Sequence, residues 1–141
     1  MQVENILQSK GRAVHTVAGH TTIAEAVELL NSRRIGAVVV TDGGKVVGIL
    51  SERDVVRHLG KDWGDLASRP VSDVMTKAVV TTSRQASVAE VMEQMTAKRI
   101  RHLPVLEGAD LVGIISIGDV VKRKIEETEQ EAIALKEYIA S

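Results

Sequence analysis

The chain has 141 residues, 18 of them basic and 19 acidic, with one Trp, one Tyr, no Phe and no Cys. That length suffices for one compact domain with a sizeable core. Balanced charge excludes a global field for nucleic acid or anionic membrane, scarce aromatics exclude a row of base-stacking platforms, and the lack of cysteine excludes disulfides and thiolate metal sites. Met1–Lys10 carries Glu4 and Asn5 among its apolar residues and does not read as a signal peptide, and no apolar run is long enough to span a bilayer. The expectation is a soluble, cytoplasmic protein with neither nucleic acid nor membrane as partner.

In chain order, Val3–Leu7 reads as a short lead-in helix and Ala13–Val17 as a short extended run. Thr22 and Glu25 then form a capping-box pattern opening a helix, with Ile23, Val27 and Leu30 as its buried stripe. A β-branched run at Ala37–Val40, a turn at Asp42–Gly44 and a second run at Val46–Leu50 read as a hairpin whose glycines supply positive φ. A further helix starts at Ser51. Gly60, Gly64 and Pro70 mark a linker, in which Trp63 reads as a cover over the seam between two copies.

The same elements then recur. Residues 14–57 laid over 79–122, at a constant shift of 65 and without gaps, share 16 identities in 44 positions, among them Thr16/Thr81, Glu25/Glu90, Ile35/Ile100, Gly48/Gly113, Ser51/Ser116 and Asp54/Asp119. The second copy has an extended run at Ala78–Thr82, a capping box at Ser87 and Glu90, a stripe of Val88, Met92 and Met95, and a hairpin of Leu103–Leu106 and Leu111–Ile115. Val71–Met75 resembles Val3–Leu7, but at a shift of 68. A gapless duplication means two copies of one strand–helix–strand–strand–helix unit, each too small to bury a core alone, so the copies should pack as one body. The expected division is 1–60 for the first copy with its lead-in helix, 61–70 for the linker, 71–122 for the second copy and 123–141 for a helical extension. In that extension Val121, Ile125, Thr128, Ala132, Leu135 and Ile139 recur at 4-3-4-3-4 spacing, a heptad-like seam for packing on the same chain or on a partner subunit.

The tandem mixed α/β unit, with Gly48–Asp54 and Gly113–Asp119 closing its two hairpins, resembles a CBS domain pair (a Bateman module). Val71–Thr76 and Arg99–Val105 are similar to that family's other recurring motifs, and the resemblance covers residues 1–122. It implies two units packed about a pseudo-two-fold axis, with two clefts that commonly take adenosine-containing ligands: AMP, ADP, ATP, NAD(H) or S-adenosylmethionine. It also implies a homodimer that acts as a regulatory sensor for a partner protein the sequence does not name.

On spacing alone Ser51/Asp54 and Ser116/Asp119 are helix caps. Aspartate reaches back to an N-cap amide less well than glutamate does, which favours a second role. The resemblance makes Asp54 and Asp119 acceptors for a ribose diol, with the serines and helix starts facing phosphate. Arg101 and His102, which replace Gly36 and Ala37 of the first copy, either form a surface basic pair or, as the resemblance implies, supply phosphate contacts ahead of Pro104. On the same resemblance Thr16, Thr81 and Thr82 present strand ends to the base, while Ile35 and Ile100 are either apolar plates against it or plain core. His15, His20, His58 and His102 show no metal-ligand spacing, and no nucleophile arrangement occurs. The expectation is a non-catalytic nucleotide sensor without a catalytic cofactor; the alternative is a ligand-free scaffolding or oligomerisation protein of the same fold.

Overall fold

The structure, a computed structural model, describes residues 1–61 and 64–141, so Trp63 and its expected role lie outside the described residues. The elements run α1 (Val3–Lys10), β1 (Thr16–Ala18), α2 (Ile23–Arg33), β2 (Ala37–Asp42), β3 (Lys45–Ser51), α3 (Glu52–Leu59), single 3-10 turns at Leu66–Ser68 and Val71–Asp73, α4 (Val88–Lys98), β4 (His102–Glu107), β5 (Asp110–Ser116) and α5 (Ile117–Ala140). The fold is mixed α/β and the unit occurs twice.

The helix starts follow from their hydroxyls. Thr22 Oγ1 accepts from the Glu25 amide at 3.2 Å and Ser87 Oγ from the Glu90 amide at 3.0 Å. The reciprocal glutamate bonds expected there do not form among the described residues. Neighbouring orphan amides are met by backbone instead: Ile23 N donates to Arg69 O and Val88 N to Met1 O. The buried stripes are Ile23, Ala26 and Leu30, and Val88, Val91 and Met95, with Val27 and Met92 packed at their edges.

β1 pairs parallel with β2, and β2 antiparallel with β3; β4 pairs antiparallel with β5. The extended run expected at Ala78–Thr82 shrinks to a single bridge between Thr82 and Val105. Pro104 explains the loss. Its counterpart Val39 donates to His15 O at 3.3 Å, and proline has no N–H to make that rung. At the first hairpin Gly43 and Gly44 both take positive φ, +58° and +83°; at the second only Gly108 does.

Each unit has its own core, and each core is completed by the other unit's lead-in. Val3, Ile6 and Leu7 of α1 are buried with Val88, Val91, Met95, Leu103, Ile115 and Val120 of the second unit. Val71 and Val74, which lead into the second unit, are buried with Ile23, Leu30, Val38 and Leu50 of the first. Backbone pairing fixes the exchange, Val3 N donating to Ala86 O at 2.9 Å and Val71 N to Thr21 O at 2.7 Å. Equivalent glycines make room for it. A Cβ on Gly113 would lie 2.7 Å from Leu7 Cδ2, and one on Gly48 would overlap Met75 Sδ. The crossed lead-ins bind the copies into one body.

Candidate functional site

Ser51 and Ser116 end strands and begin helices, and both form complete capping boxes. Ser51 N donates to Asp54 Oδ2 at 3.0 Å and Ser116 N to Asp119 Oδ2 at 2.8 Å, while the serine hydroxyls accept from the Asp54 and Asp119 amides. Aspartate therefore does reach back to the N-cap amide here, contrary to the sequence expectation, because the extended φ and ψ of the serine bring its amide over the first turn.

The two aspartates differ in what else they meet. Asp54 is 6 % exposed; its Oδ2 also accepts from Ser51 Oγ and its Oδ1 from Thr76 Oγ1, both at 3.2 Å. Thr76 is held there by reciprocal backbone bonds with Ile49, 2.9 and 3.0 Å long. Both Asp54 oxygens are thus engaged under a strap. At the matching place in the other half, Ile114 makes no such backbone pair among the described residues; its carbonyl accepts from Lys10 Nζ at 3.0 Å. Lys10 also bonds Asp119 Oδ2 at 2.7 Å, which leaves Asp119 Oδ1 without a hydrogen bond among the described residues.

Around Asp119 lies a cleft of about 360 Å³, at the small end of the range for small-molecule sites. Both units build it. Lys10 ends α1, Ala13 and His15 precede β1, and Arg34, Ile35, Gly36 and Ala37 join α2 to β2; His102, Ile114, Ser116 and Asp119 come from the second unit. Gly36 is small for a reason: a Cβ there would sit 3.0 Å from His102 Nε2. Arg34 holds a left-handed conformation (φ +53°) as the C-cap of α2, which turns the chain sharply from helix to cleft wall.

The site is cationic around one carboxylate. Burial pushes the Asp119 carboxyl up, but the Lys10 ammonium and the Ser116 amide and hydroxyl outweigh it and hold the group below its ordinary range. Burial lowers the His102 imidazole; Glu52 and Asp119 pull it up, and Lys10 and Arg101 add to the lowering. A partly enclosed cleft with an ionised carboxylate, an ammonium, a guanidinium and two imidazoles can hold a ligand that carries hydroxyls at one end and negative charge at the other.

Of the residues singled out in the sequence, Ile35, His102, Ser116 and Asp119 line this cleft. Arg101 does not: neighbouring residues at a strand start point to opposite sides, so His102 turns inward and Arg101 is exposed. Ile100 packs on the second unit's core, and Pro104 sits in β4 opposite Ile114. Thr81 and Thr82 line a separate open depression of about 750 Å³, with Glu90, Glu93 and Lys98. Thr16 is exposed at the start of β1; the neighbouring His15 faces the cleft. Sequence reasoning missed Lys10 and His15, since Lys10 lies outside the repeat register and His15 faces Val80 in it. Among the described residues no group of His, Asp and Glu could hold a metal ion, and no helix is long and apolar enough to cross a membrane.

The CBS domain family matches residues 6–61 and 71–126. The mitochondrial CBS domain-containing protein CBSX3 of Arabidopsis thaliana is 31 % identical over 146 residues, covering 97 % of this chain and 71 % of its own. The solved CBS-domain protein ATU1752 of Agrobacterium tumefaciens is 45 % identical, with a TM-score of 0.86 over 88 % of this chain and 99 % of that one. A CBS domain pair of protein MJ0100, solved in complex with 5'-methylthioadenosine and S-adenosyl-L-methionine, is 25 % identical with a TM-score of 0.77 over 86 % and 98 % of the two chains. Two matched repeats, their element order and these relatives together establish that the chain belongs to the CBS domain family, as a domain pair.

Proposed function

We propose that the Asp119 cleft binds a phosphorylated adenosine compound, AMP, ADP, ATP or NAD(H), and that the chain is a non-catalytic regulatory sensor. The observation that carries this reading is the difference between the two aspartates: Asp54 has both oxygens hydrogen-bonded under the Thr76 strap, whereas Asp119 has one oxygen open to a cleft. Oδ1 of Asp119 would accept from a ribose hydroxyl, Ile35 would lie against the base, and Lys10, Arg34 and His102 would meet phosphate. The MJ0100 pair, solved with two adenosine-containing ligands, supports the ligand class. The cations around the cleft favour phosphate over the sulfonium of S-adenosylmethionine, which they would repel. Because Lys10 ends α1 and α1 completes the second unit's core, a phosphate that draws Lys10 away from Asp119 would alter how the units are held. A ligand shifts that packing only by its differential affinity for the two arrangements.

The change would be read by a partner protein through subunit contacts. Val56 and Val121, equivalent positions in the repeat, are 67 % and 43 % exposed, which supports pairing of two chains through α3 and α5. Calorimetric titration with AMP, ATP and NADH tests the reading; no heat and no thermal stabilisation at millimolar ligand would refute it. The ligand-free scaffolding reading is favoured by one observation, the exposed apolar face of α5. It gains ground if titration is silent while loss of that face dissolves an oligomer.

A further inference from the structure

The charges around the Asp119 cleft nearly cancel. Lys10, at the end of α1, pairs with Asp119 of α5 at 2.7 Å. Arg34, the C-cap of α2, lines the cleft, and Glu52 at the start of α3 comes within 4.0 Å of the point where a Gly36 Cβ would stand. Arg101, which precedes β4, adds an exposed guanidinium beside the cleft. Lys10, Arg34 and Arg101 thus exceed Glu52 and Asp119 by one charge, whereas a phosphate group brings about two negative charges. Unbalanced charge costs far more in a partly enclosed cleft than in bulk water. The two other titratable side chains that line the cleft are His15, ahead of β1, and His102, which opens β4. Of all these groups, the imidazoles are the type that gains charge near neutral pH.

We propose that phosphate binding in this cleft is coupled to proton uptake by His102, so that the chain reads a phosphorylated ligand and acidity together. This deepens the nucleotide reading above and rests on it. His102 is placed for the role: its ring comes from the second unit and lies against the first, with Nε2 3.0 Å from the position of a Gly36 Cβ. Glu52, Lys10, Asp119 and Arg101 all act on it. Before phosphate enters, burial holds the imidazole below its ordinary range; Lys10 and Arg101 reinforce that, and Glu52 and Asp119 oppose it. Phosphate reverses the balance. It brings anionic oxygens, and a Lys10 drawn to them leaves Asp119 free to act on the ring. Both changes favour the imidazolium, which takes its proton from solvent and donates a charge-assisted hydrogen bond to a phosphate oxygen. The ring therefore titrates at higher pH with phosphate than without. Affinity rises as pH falls through the bound value and levels off below the free one, by up to roughly tenfold per pH unit. The gain ends at about pH 6, where phosphate itself takes a proton.

Calorimetry of AMP at about pH 7, in two buffers that differ in ionisation enthalpy, gives the protons taken up per ligand bound. About 0.5–1 is expected for AMP and no uptake for adenosine, which lacks the phosphate. His102→Gln should bind AMP more weakly with most of the uptake gone, and His15→Gln should keep it. Ring-proton NMR of the native chain follows the same change without a substitution: the His102 signal should titrate at higher pH with AMP than without. AMP binding without proton uptake, uptake that survives His102→Gln, equal uptake with adenosine, or a His102 titration unmoved by AMP would overturn the inference and leave the nucleotide reading standing. No AMP binding at any pH would overturn both.

Discussion

Replacing Asp119 and Asp54 separately by asparagine should have opposite consequences. Asparagine keeps an oxygen that can accept from the N-cap amide, so both helix starts survive. At Asp119 the change removes the charge that one open oxygen offers to a ribose hydroxyl, and a hydrogen bond to a charged group contributes about 1.5–3 kcal/mol. Affinity for AMP should therefore fall roughly 10- to 150-fold. The lost Lys10 pair, whose side chains are 33 % and 23 % exposed, should cost only about 0.5–1 kcal/mol of stability. At Asp54 the charge is buried, and Ser51 and Thr76 use both its oxygens. Asp54→Asn should thus cost about 1–2 kcal/mol of stability and leave affinity within about twofold. Isothermal calorimetry and chemical denaturation of both variants supply the four numbers. Equal affinity losses at the two positions, or none at Asp119, would refute the argument from the open oxygen.

Gly113→Ala should destabilise by about 1–3 kcal/mol, because its Cβ meets Leu7 at 2.7 Å and Leu7 is 1 % exposed with no room to yield. Shortening the neighbour with Leu7→Ala should recover part of that loss, and strict additivity in denaturant melts would show that α1 does not pack there. The imidazole of His102, lowered by burial, binds fewer protons folded than unfolded. Its contribution is then complete above the ordinary pKa of about 6.5 and is lost as pH falls toward the depressed folded value. Melting temperature should drop between pH 7.5 and 5.5, and His102→Gln should flatten that slope; an unchanged slope would remove His102 as its source.

Much of the fold was legible because the copies check each other. A hydroxyl three residues before Glu or Asp marked all four major helix starts, and the glycine turns marked both hairpins. The division of labour between copies was harder to read. The shift of 68 between Val3–Leu7 and Val71–Met75 was visible, but which core each segment enters depends on backbone pairing at Ala86 and Thr21, far away in sequence. Pro104 stood in plain view, and its missing N–H removes a rung from the second unit's first strand. Gly36 and Ala37 read as the absence of cations, whereas Gly36 is the space that admits His102 from the other copy. At the site, Ser116 and Asp119 followed from the repeat. Lys10 and Thr76, which leave one carboxylate half open and the other covered, lie outside its register.

The most direct test of the central claim is the calorimetric stoichiometry of AMP on the native chain. The open Asp119 cleft and the strapped Asp54 predict saturation at one AMP per chain. No binding at millimolar AMP, or two equivalent sites per chain, would contradict the account.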